Sequence, residues 1–461
     1  MAGMNDSAGT AGWMDGLPLS RFQIQAVLMI ATAVVLDGLD NQMLGLAAPS
    51  LIKEWGIQRD ALGLVFALGF VGMALGTLVA GHFGDRIGRR GALIGGVGIF
   101  GIATLLTGFS NAFWQVGVLK VIAGIGLGGV PGTASAMIAE FTPLRWRSVA
   151  VTFGVVCVSI GGIMGGMAAA VILPGLGWRW LFFIGGALTL AFTALLTLVL
   201  PESPSYLAAR PDRRGELEQA LLKMNHPNSQ EALAQIVAAT PDKGAPLPPF
   251  SALLKGTLLR DSLALSLAMF SGMFMIYIMF NWAPTLLFSA GYSLETASLG
   301  LTSFNIGGTI GAVFASLAII RFGSRSTLIV MALVGAAICA ILAVMPMSEQ
   351  AGRNGMLAGL AALGLFASAA QSAMFAVGAH AFPTEVRARG LGLMGAAGRI
   401  GAIFSAIAGA WLVGVGNVGF FGVLIVLMLV NAGGFIAVRG HVPRLADKNN
   451  VNGNGHAGAV K

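Results

Sequence analysis

Apolar residues along this chain gather into twelve long runs, near residues 22–48, 61–81, 91–109, 112–140, 148–172, 178–200, 261–289, 296–320, 326–346, 354–380, 390–415 and 418–438. As helices rising about 1.5 Å per residue, runs of ~18 residues or more cross the roughly 30 Å hydrocarbon core of a bilayer. A membrane barrel would instead show strands of about ten residues with alternating polarity, and the chain lacks that pattern. The runs therefore predict an all-α integral membrane fold with twelve transmembrane helices. One long polar stretch, residues 201–260, separates six runs from six. It carries Arg213, Arg214, Glu216 and Glu218, then a proline-rich segment from Pro241 to Pro249, and reads as a linker with room for one surface helix and no separate domain. The predicted organisation is an N-terminal six-helix bundle at 22–200, the linker, a C-terminal bundle at 261–440, and flexible tails at 1–21 and 441–461.

Composition excludes a soluble alternative. Hydrophobic residues make up 56% of the 461 and charged residues only 10%, against about 25% charged in soluble domains. Mean hydropathy is +0.82. Cys157 and Cys339 both lie inside apolar runs, so they imply neither a disulfide framework nor a metal site. The net charge of +8 fits membrane topology rather than nucleic acid, because the basic residues are strung between apolar runs. Of 27, 21 fall on one face: Arg21, Arg86, Arg89, Arg90, Arg145, Arg147, seven in 201–260, Arg321, Arg325, Arg387, Arg389, Arg439, Arg444, Lys448 and Lys461. The opposite face holds Lys53, Arg59, Arg179 and Arg353. By the positive-inside rule both termini are cytoplasmic in a cell (inner) membrane. The first 21 residues lack the basic start and cleavage site of a signal peptide, which agrees.

The halves also repeat. Asp85-Arg86-Ile87-Gly88-Arg89-Arg90 returns as Ile320-Arg321-Phe322-Gly323-Ser324-Arg325, and Arg145-x-Arg147 returns as Arg387-x-Arg389. Parallel repeats of this kind are a transporter architecture, with substrate and coupling-ion sites near the midplane. The segment from Gly81 through Asp85, Arg86, Gly88, Arg89 and Arg90 resembles the signature loop of the major facilitator superfamily. That resemblance implies two pseudo-symmetric six-helix bundles and a conformational gate at this loop. Asp37-Gly38-Leu39-Asp40 resembles the aromatic acid:proton symporter family within it, which includes hydroxybenzoate carriers. So do Gly124-x-Gly126-x-Gly128-Gly129 with Glu140, Pro143, Arg145 and Arg147; Asn281-Trp282-Ala283-Pro284-Thr285; and Phe382-Pro383-Thr384-Glu385-Val386-Arg387 with Gly398-Arg399. The resemblance implies a proton-coupled symporter that imports a small aromatic carboxylate by alternating access. Three positions depart from the pattern: Lys120 stands where Arg is usual, Ile320 replaces an acid in the second loop, and His82 is unusual in the first.

Ionisable residues inside the membrane carry the candidate chemistry. Counting from Ile24, Asp37 lies roughly 20 Å along its helix, a little beyond the middle of the hydrocarbon core. Asp40, three residues on, shares its face. A charge at that depth costs about 2.5–3.5 kcal/mol on insertion scales, and two like charges repel, so the pair is suited to carrying a proton. A permanent structural pairing with Lys120 and Arg399 is the alternative. Arg399 is the candidate for a bidentate contact with a substrate carboxylate. Lys120 is either a second cation for substrate or the partner of Asp37, unless it snorkels to the outer interface.

Phe270, Phe274 and Tyr277 recur at helical spacing, and with Trp282 they offer a wall for a flat ring. Asn281, Asn305 and Gln371 are candidates for substrate hydroxyls, although each could equally bond a neighbouring helix. Glu140, Arg145, Arg147, Glu385 and Arg387, near the helix ends, read as gating ion pairs. Span five lacks the Gly-Pro pair of drug antiporters, which favours symport. Pro201-Glu202-Ser203-Pro204 also resembles the sugar-porter loop, so non-aromatic organic acids or sugars are the alternative cargo. No Ser/His/Asp set, metal cluster or phosphate loop falls in a plausible context, so no enzyme is expected. The expected partners are a small anionic aromatic substrate, protons and the bilayer, with a monomeric protein, no metal, no nucleic acid and no cofactor.

Overall fold

With no water to satisfy a backbone in lipid, an apolar run of this length has the helix as its one open-chain solution, and each run becomes one. The computed structural model describes residues 19–224, 253, 256–346, 348–383 and 385–444. Most of the N-terminal tail, the Pro241–Pro249 run and the C-terminal tail beyond 444 lie outside them. The first half holds α1 (Arg21–Trp55), α2 (Arg59–Ile87), α3 (Arg89–Thr107), α4 (Phe113–Phe141), α5 (Leu144–Gly175) and α6 (Trp178–Val199). Two short helices follow, α7 (Pro204–Ala208) and α8 (Arg214–Lys223). The second half holds α9 (Gly256–Ser289), α10 (Leu294–Phe322), α11 (Ser324–Val344), α12 (Glu349–Ala381), α13 (Arg387–Val415) and α14 (Asn417–Ala437). Among the described residues twelve helices are long and apolar enough to cross a membrane, and none forms a strand. The all-α fold and the twelve spans stand as the apolar pattern predicts.

Two differences from that pattern have physical causes. Helix α1 runs on through Pro49 to Trp55, because packed neighbours tolerate a proline that would break a helix in water. Its end is tied down: Trp178 Nε1 donates to Glu54 Oε2 at 2.6 Å, and the Trp55 and Trp178 rings meet edge-on at 5.3 Å. The described part of the linker holds two short helices where the sequence suggests one. Leu207, Leu217, Leu221 and Met224 join the same core as Ile30, Phe100 and Phe141, so burial organises a stretch whose sequence looks merely polar.

The chain packs as two compact units, and the division cuts deep into three helices and separates the first residue of a fourth, α6. It falls at Asn41/Gln42 in α1, at Ala67/Leu68 in α2 and at Gly162/Ile163 in α5, so each of these helices contributes to both units. In the first unit, Gly124 and Gly128 of α4 approach the backbone of α2, while Gly126 meets Gly96 and Phe100 of α3. In the second, Gly307 and Gly311 of α10 lie against the α12 carbonyls of Ala361 and Leu365, and Gly364 answers against Phe304. Small residues let membrane helices approach this closely, and van der Waals packing then holds them.

Candidate functional site

Asp37 and Asp40 sit in the first-unit part of α1, 2% and 3% exposed. Gly38 between them is why they are sealed so well: a Cβ there would overlap the Val158 carbonyl of α5, and Gly161 returns the contact against Val35 and Leu39. Asp40 is partnered. Its Oδ2 lies 3.6 Å from Lys120 Nζ of α4, and Thr104 of α3 donates to its Oδ1. The lysine stem reaches it along Gly69 of α2, where a side chain would meet Lys120 Cγ. Asp37 Oδ1 accepts no hydrogen bond among the described residues. Lys120 therefore neither snorkels outward nor contacts Asp37 as its ion-pair partner; the contact falls to Asp40, one turn further along α1. The sequence reading missed Thr104, which looks like one more small residue in an apolar run.

The other candidates for substrate belong to the second unit. Arg399 projects from α13 with an exposed side chain. Phe270 lies 6.0 Å from both Phe274 and Phe404, and Tyr277 packs edge-on to Phe280 at 5.8 Å. Tyr277 is half-buried and Phe274 buried. Trp282 has no exposed surface: its Nε1 donates to the Ala406 carbonyl at 3.1 Å and its ring meets Phe66 at 5.4 Å. In this arrangement the indole packs helices and presents nothing to a ligand. Asn305 is likewise engaged, in a reciprocal amide pair with Gln42: Asn305 Nδ2 donates to Gln42 Oε1 at 2.8 Å and Gln42 Nε2 donates back at 3.2 Å. Asn281 is buried, and its Nδ2 has no partner among the described residues. Gln371 is buried against α9, its Nε2 on Met269 Sδ.

At the arginine-rich end of the first unit, the signature loop forms a braced turn. Gly88 has φ 98°, a conformation that other residues rarely adopt. Glu202 fills the space where a Cβ would go, accepting from the Arg90 N–H and the Ser203 N–H, both at 2.9 Å. Ser203 donates through its hydroxyl to Glu140, which also pairs with Arg89 at 3.0 Å. Tyr206 and Arg210 donate to the Arg86 carbonyl. Glu202 and Ser203 complete the expected gating set of Arg86, Gly88, Arg89, Arg90 and Glu140, and a Ser-Pro helix start was the signal for them. Gly81 is exposed; the Asp85 side chain lies outside the described residues. Arg145 is exposed and Arg147 half-buried, with the positive charge of Arg147 acting on Glu140. Glu385 is exposed, and Arg387 donates to the Phe382 carbonyl at 3.4 Å rather than to Glu385.

Comparison with known proteins agrees with this architecture. The chain matches the family described as sugar (and other) transporter over residues 41–448. It belongs to that family, within the major facilitator superfamily. Among relatives in the family, it is 32% identical to the gallate transporter of Pseudomonas putida, covering 88% of each chain. It is 34% identical to the 4-hydroxybenzoate transporter PcaK of Pseudomonas aeruginosa, covering 88% of this chain and 89% of that one. The fold is that of the xylose transporter XylE from E. coli, solved in an inward-open conformation, with a TM-score of 0.71 at 21% identity over 91% of this chain and 97% of that one. The family match begins one residue beyond Asp40, so the case for the acid pair rests on its geometry.

Proposed function

We propose that this chain is a proton-coupled symporter that imports a small aromatic carboxylate, hydroxybenzoate-like, by alternating access. It acts as a monomer in the inner membrane, with both termini cytoplasmic, each half moving as a six-helix bundle, and protons as its coupling ion in place of any cofactor. The names of the relatives support the cargo. The buried group of Asp37, Asp40, Thr104 and Lys120 is the observation that carries the coupling. In this group Lys120 is held by Asp40. A proton taken up by the acid pair cancels one negative charge, removes the repulsion between neighbours and weakens the hold of Asp40 on Lys120. The ammonium is then free to attract an anionic carboxylate, so loading with proton and loading with substrate favour one another. Arg399 supplies a second, planar cationic contact, and Phe274, Tyr277 and Asn281 are the candidates for ring and hydroxyl.

The test is uptake of labelled 4-hydroxybenzoate into proteoliposomes under an imposed inward proton gradient. Accumulation should collapse on adding a protonophore. Asp37→Asn should abolish gradient-driven accumulation while leaving exchange of substrate across the membrane measurable. Normal accumulation by Asp37→Asn and Asp40→Asn would remove the proton role. Aliphatic acids and hexoses run as competitors separate this reading from a carrier of non-aromatic acids or sugars, which the family description and the Pro201–Pro204 segment favour.

A further inference from the structure

Inside the second unit, α9, α12 and α14 line a small, partly open cavity of about 10 Å³, bordered in part by Ser271, Gly272, Gln371, Met428 and Asn431. Its polar atoms form an unbalanced set. Asn431 is 4% exposed, and its orientation is fixed: Nδ2 donates to the Ala268 carbonyl at 2.7 Å and approaches Ser271 Oγ at 3.3 Å. Ser271 Oγ spends its own proton on the same carbonyl at 3.1 Å. Among the described residues Asn431 Oδ1 is thereby left with no donor. Gln371, 7% exposed, directs Nε2 to Met269 Sδ at 2.7 Å, and its Oε1 also has no donor among the described residues. Both amides flank Gly272, where even a Cβ would overlap Gln371 Oε1. Two strong acceptors thus share one small space that lipid cannot serve, and burying a carbonyl oxygen without a donor is costly.

We propose that this cavity binds one water molecule, which donates one hydrogen to Gln371 Oε1 and the other to Asn431 Oδ1. The stoichiometry matches: two orphan acceptors, and one molecule with two donors. The volume matches a single water and excludes an aromatic ring or a carboxylate. A hard cation takes about six oxygen ligands, and the cavity offers two free ones. The water ties α9, through the Ala268 carbonyl and Asn431, to α12 and α14, and it makes Gln371 a structural residue rather than a substrate contact. This goes beyond the transport reading and does not depend on it.

The test is a cryo-electron microscopy map of the purified full-length protein in nanodiscs, at a resolution that orders internal water. A density peak within hydrogen-bonding distance of both oxygens is expected. An empty cavity, or a Gln371 amide turned so that Nε2 donates directly to Asn431 Oδ1, overturns the proposal. Thermal unfolding gives a second readout. Gln371→Leu and Asn431→Leu should each lower Tm, and the double variant should lose less than the two losses combined, because both carbonyls share one ligand. Additive losses count against a shared water. A Tm that rises with sodium over choline at matched ionic strength would replace the water with a cation.

Discussion

The turns that open α3 and α11 occupy equivalent places in the two halves, yet they are held by different chemistry. Gly88 and Gly323 both carry positive φ, 98° and 80°, so the backbone turns the same way at each. In both halves the brace is the segment that follows the sixth helix: residues 202–210 after α6, and residues 438–444 after α14. The Gly88 brace is charged, with Glu202 on two backbone N–H groups and Glu140 on Arg89. At the Gly323 turn itself the bonds are neutral; among the described residues the acidic tie of the strap is Asp261, whose Oδ1 accepts from the Arg439 N–H at 2.9 Å. Ser324 N donates to the Val442 carbonyl at 3.0 Å, and Val442 N donates to Ser324 Oγ at 2.8 Å. His441 then bridges Ser324 Oγ at 3.2 Å and the Phe435 carbonyl at 2.9 Å. Where the second repeat has lost its acid to Ile320, the chain's own C-terminal strap supplies the hold. A repeated backbone geometry does not require a repeated interaction.

The largest separation between the turns should come from Gly88→Ala against Gly323→Ala. Both place a side chain at positive φ, a strain of about 1–3 kcal/mol. At Gly88 the new Cβ also overlaps the Glu202 carboxylate, whereas at Gly323 it meets the Val442 carbonyl at an ordinary 3.4 Å. Thermal unfolding should show a distinctly larger fall in Tm for Gly88→Ala. Equal falls would mean that the two braces yield equally.

Next in size is the charge itself. Glu202→Gln keeps the shape but removes the ionised acceptor, and hydrogen bonds to a charged group are worth about 1.5–3 kcal/mol. Both N–H groups share Oε1, which an amide oxygen can replace, so the bonds persist but lose their charge, and a loss of roughly 1–2 kcal/mol is expected. Ser324→Ala in the neutral brace removes only ordinary bonds and should cost less. Proteolysis at the α2–α3 turn is the local readout. An unchanged cleavage rate in Glu202→Gln would show that charge is incidental to the brace.

These braces mark where sequence reading stops. The twelve helices were legible because a bilayer leaves apolar runs one solution, and α14 at Asn417–Ala437 lies within a residue of the run that predicts it. The signature loop was equally legible, since its glycines and arginines are closely spaced in the chain. Partner choice was not. The three-residue spacing puts Asp37 and Asp40 on one face, but the depth and rotation of α4 decide which of them Lys120 meets, and those depend on Gly69 and on packing along the whole helix. Trp282 and Asn305 looked available for substrate for the same reason: nothing local shows that the Ala406 carbonyl and Gln42 claim them. Glu202 and Ser203 read as polar residues just past a span, and only the fold brings them to Gly88.

The smallest expected effect is the most selective for the neutral brace. His441 closes a set of bonds as the tautomer with the proton on Nε2: that N–H donates to the Phe435 carbonyl, Nδ1 accepts from the Ser324 hydroxyl, and Ser324 Oγ accepts from Val442 N. Burial and the neighbouring Arg325 hold this imidazole below its ordinary value, outweighing the Phe435 and Val438 carbonyls and Asp261, which act the other way. A base whose folded value is depressed contributes stability that is complete above its unfolded value, near 6.5, and is lost as pH falls through the lower folded one. Protonation adds a hydrogen at Nδ1 that displaces the serine's own, and brings a positive charge towards Arg325. Hydrogen-exchange protection factors of residues 438–444 should therefore fall between pH 8 and pH 5. The same segment in a His441→Gln variant serves as the reference, because the Gly88 brace contains carboxylates of its own, Glu140 and Glu202. His441→Gln should flatten the dependence while leaving the Gly88 turn as it was. A strap equally protected at both pH values would show that Ser324, the backbone bonds and Asp261 hold it without the imidazole.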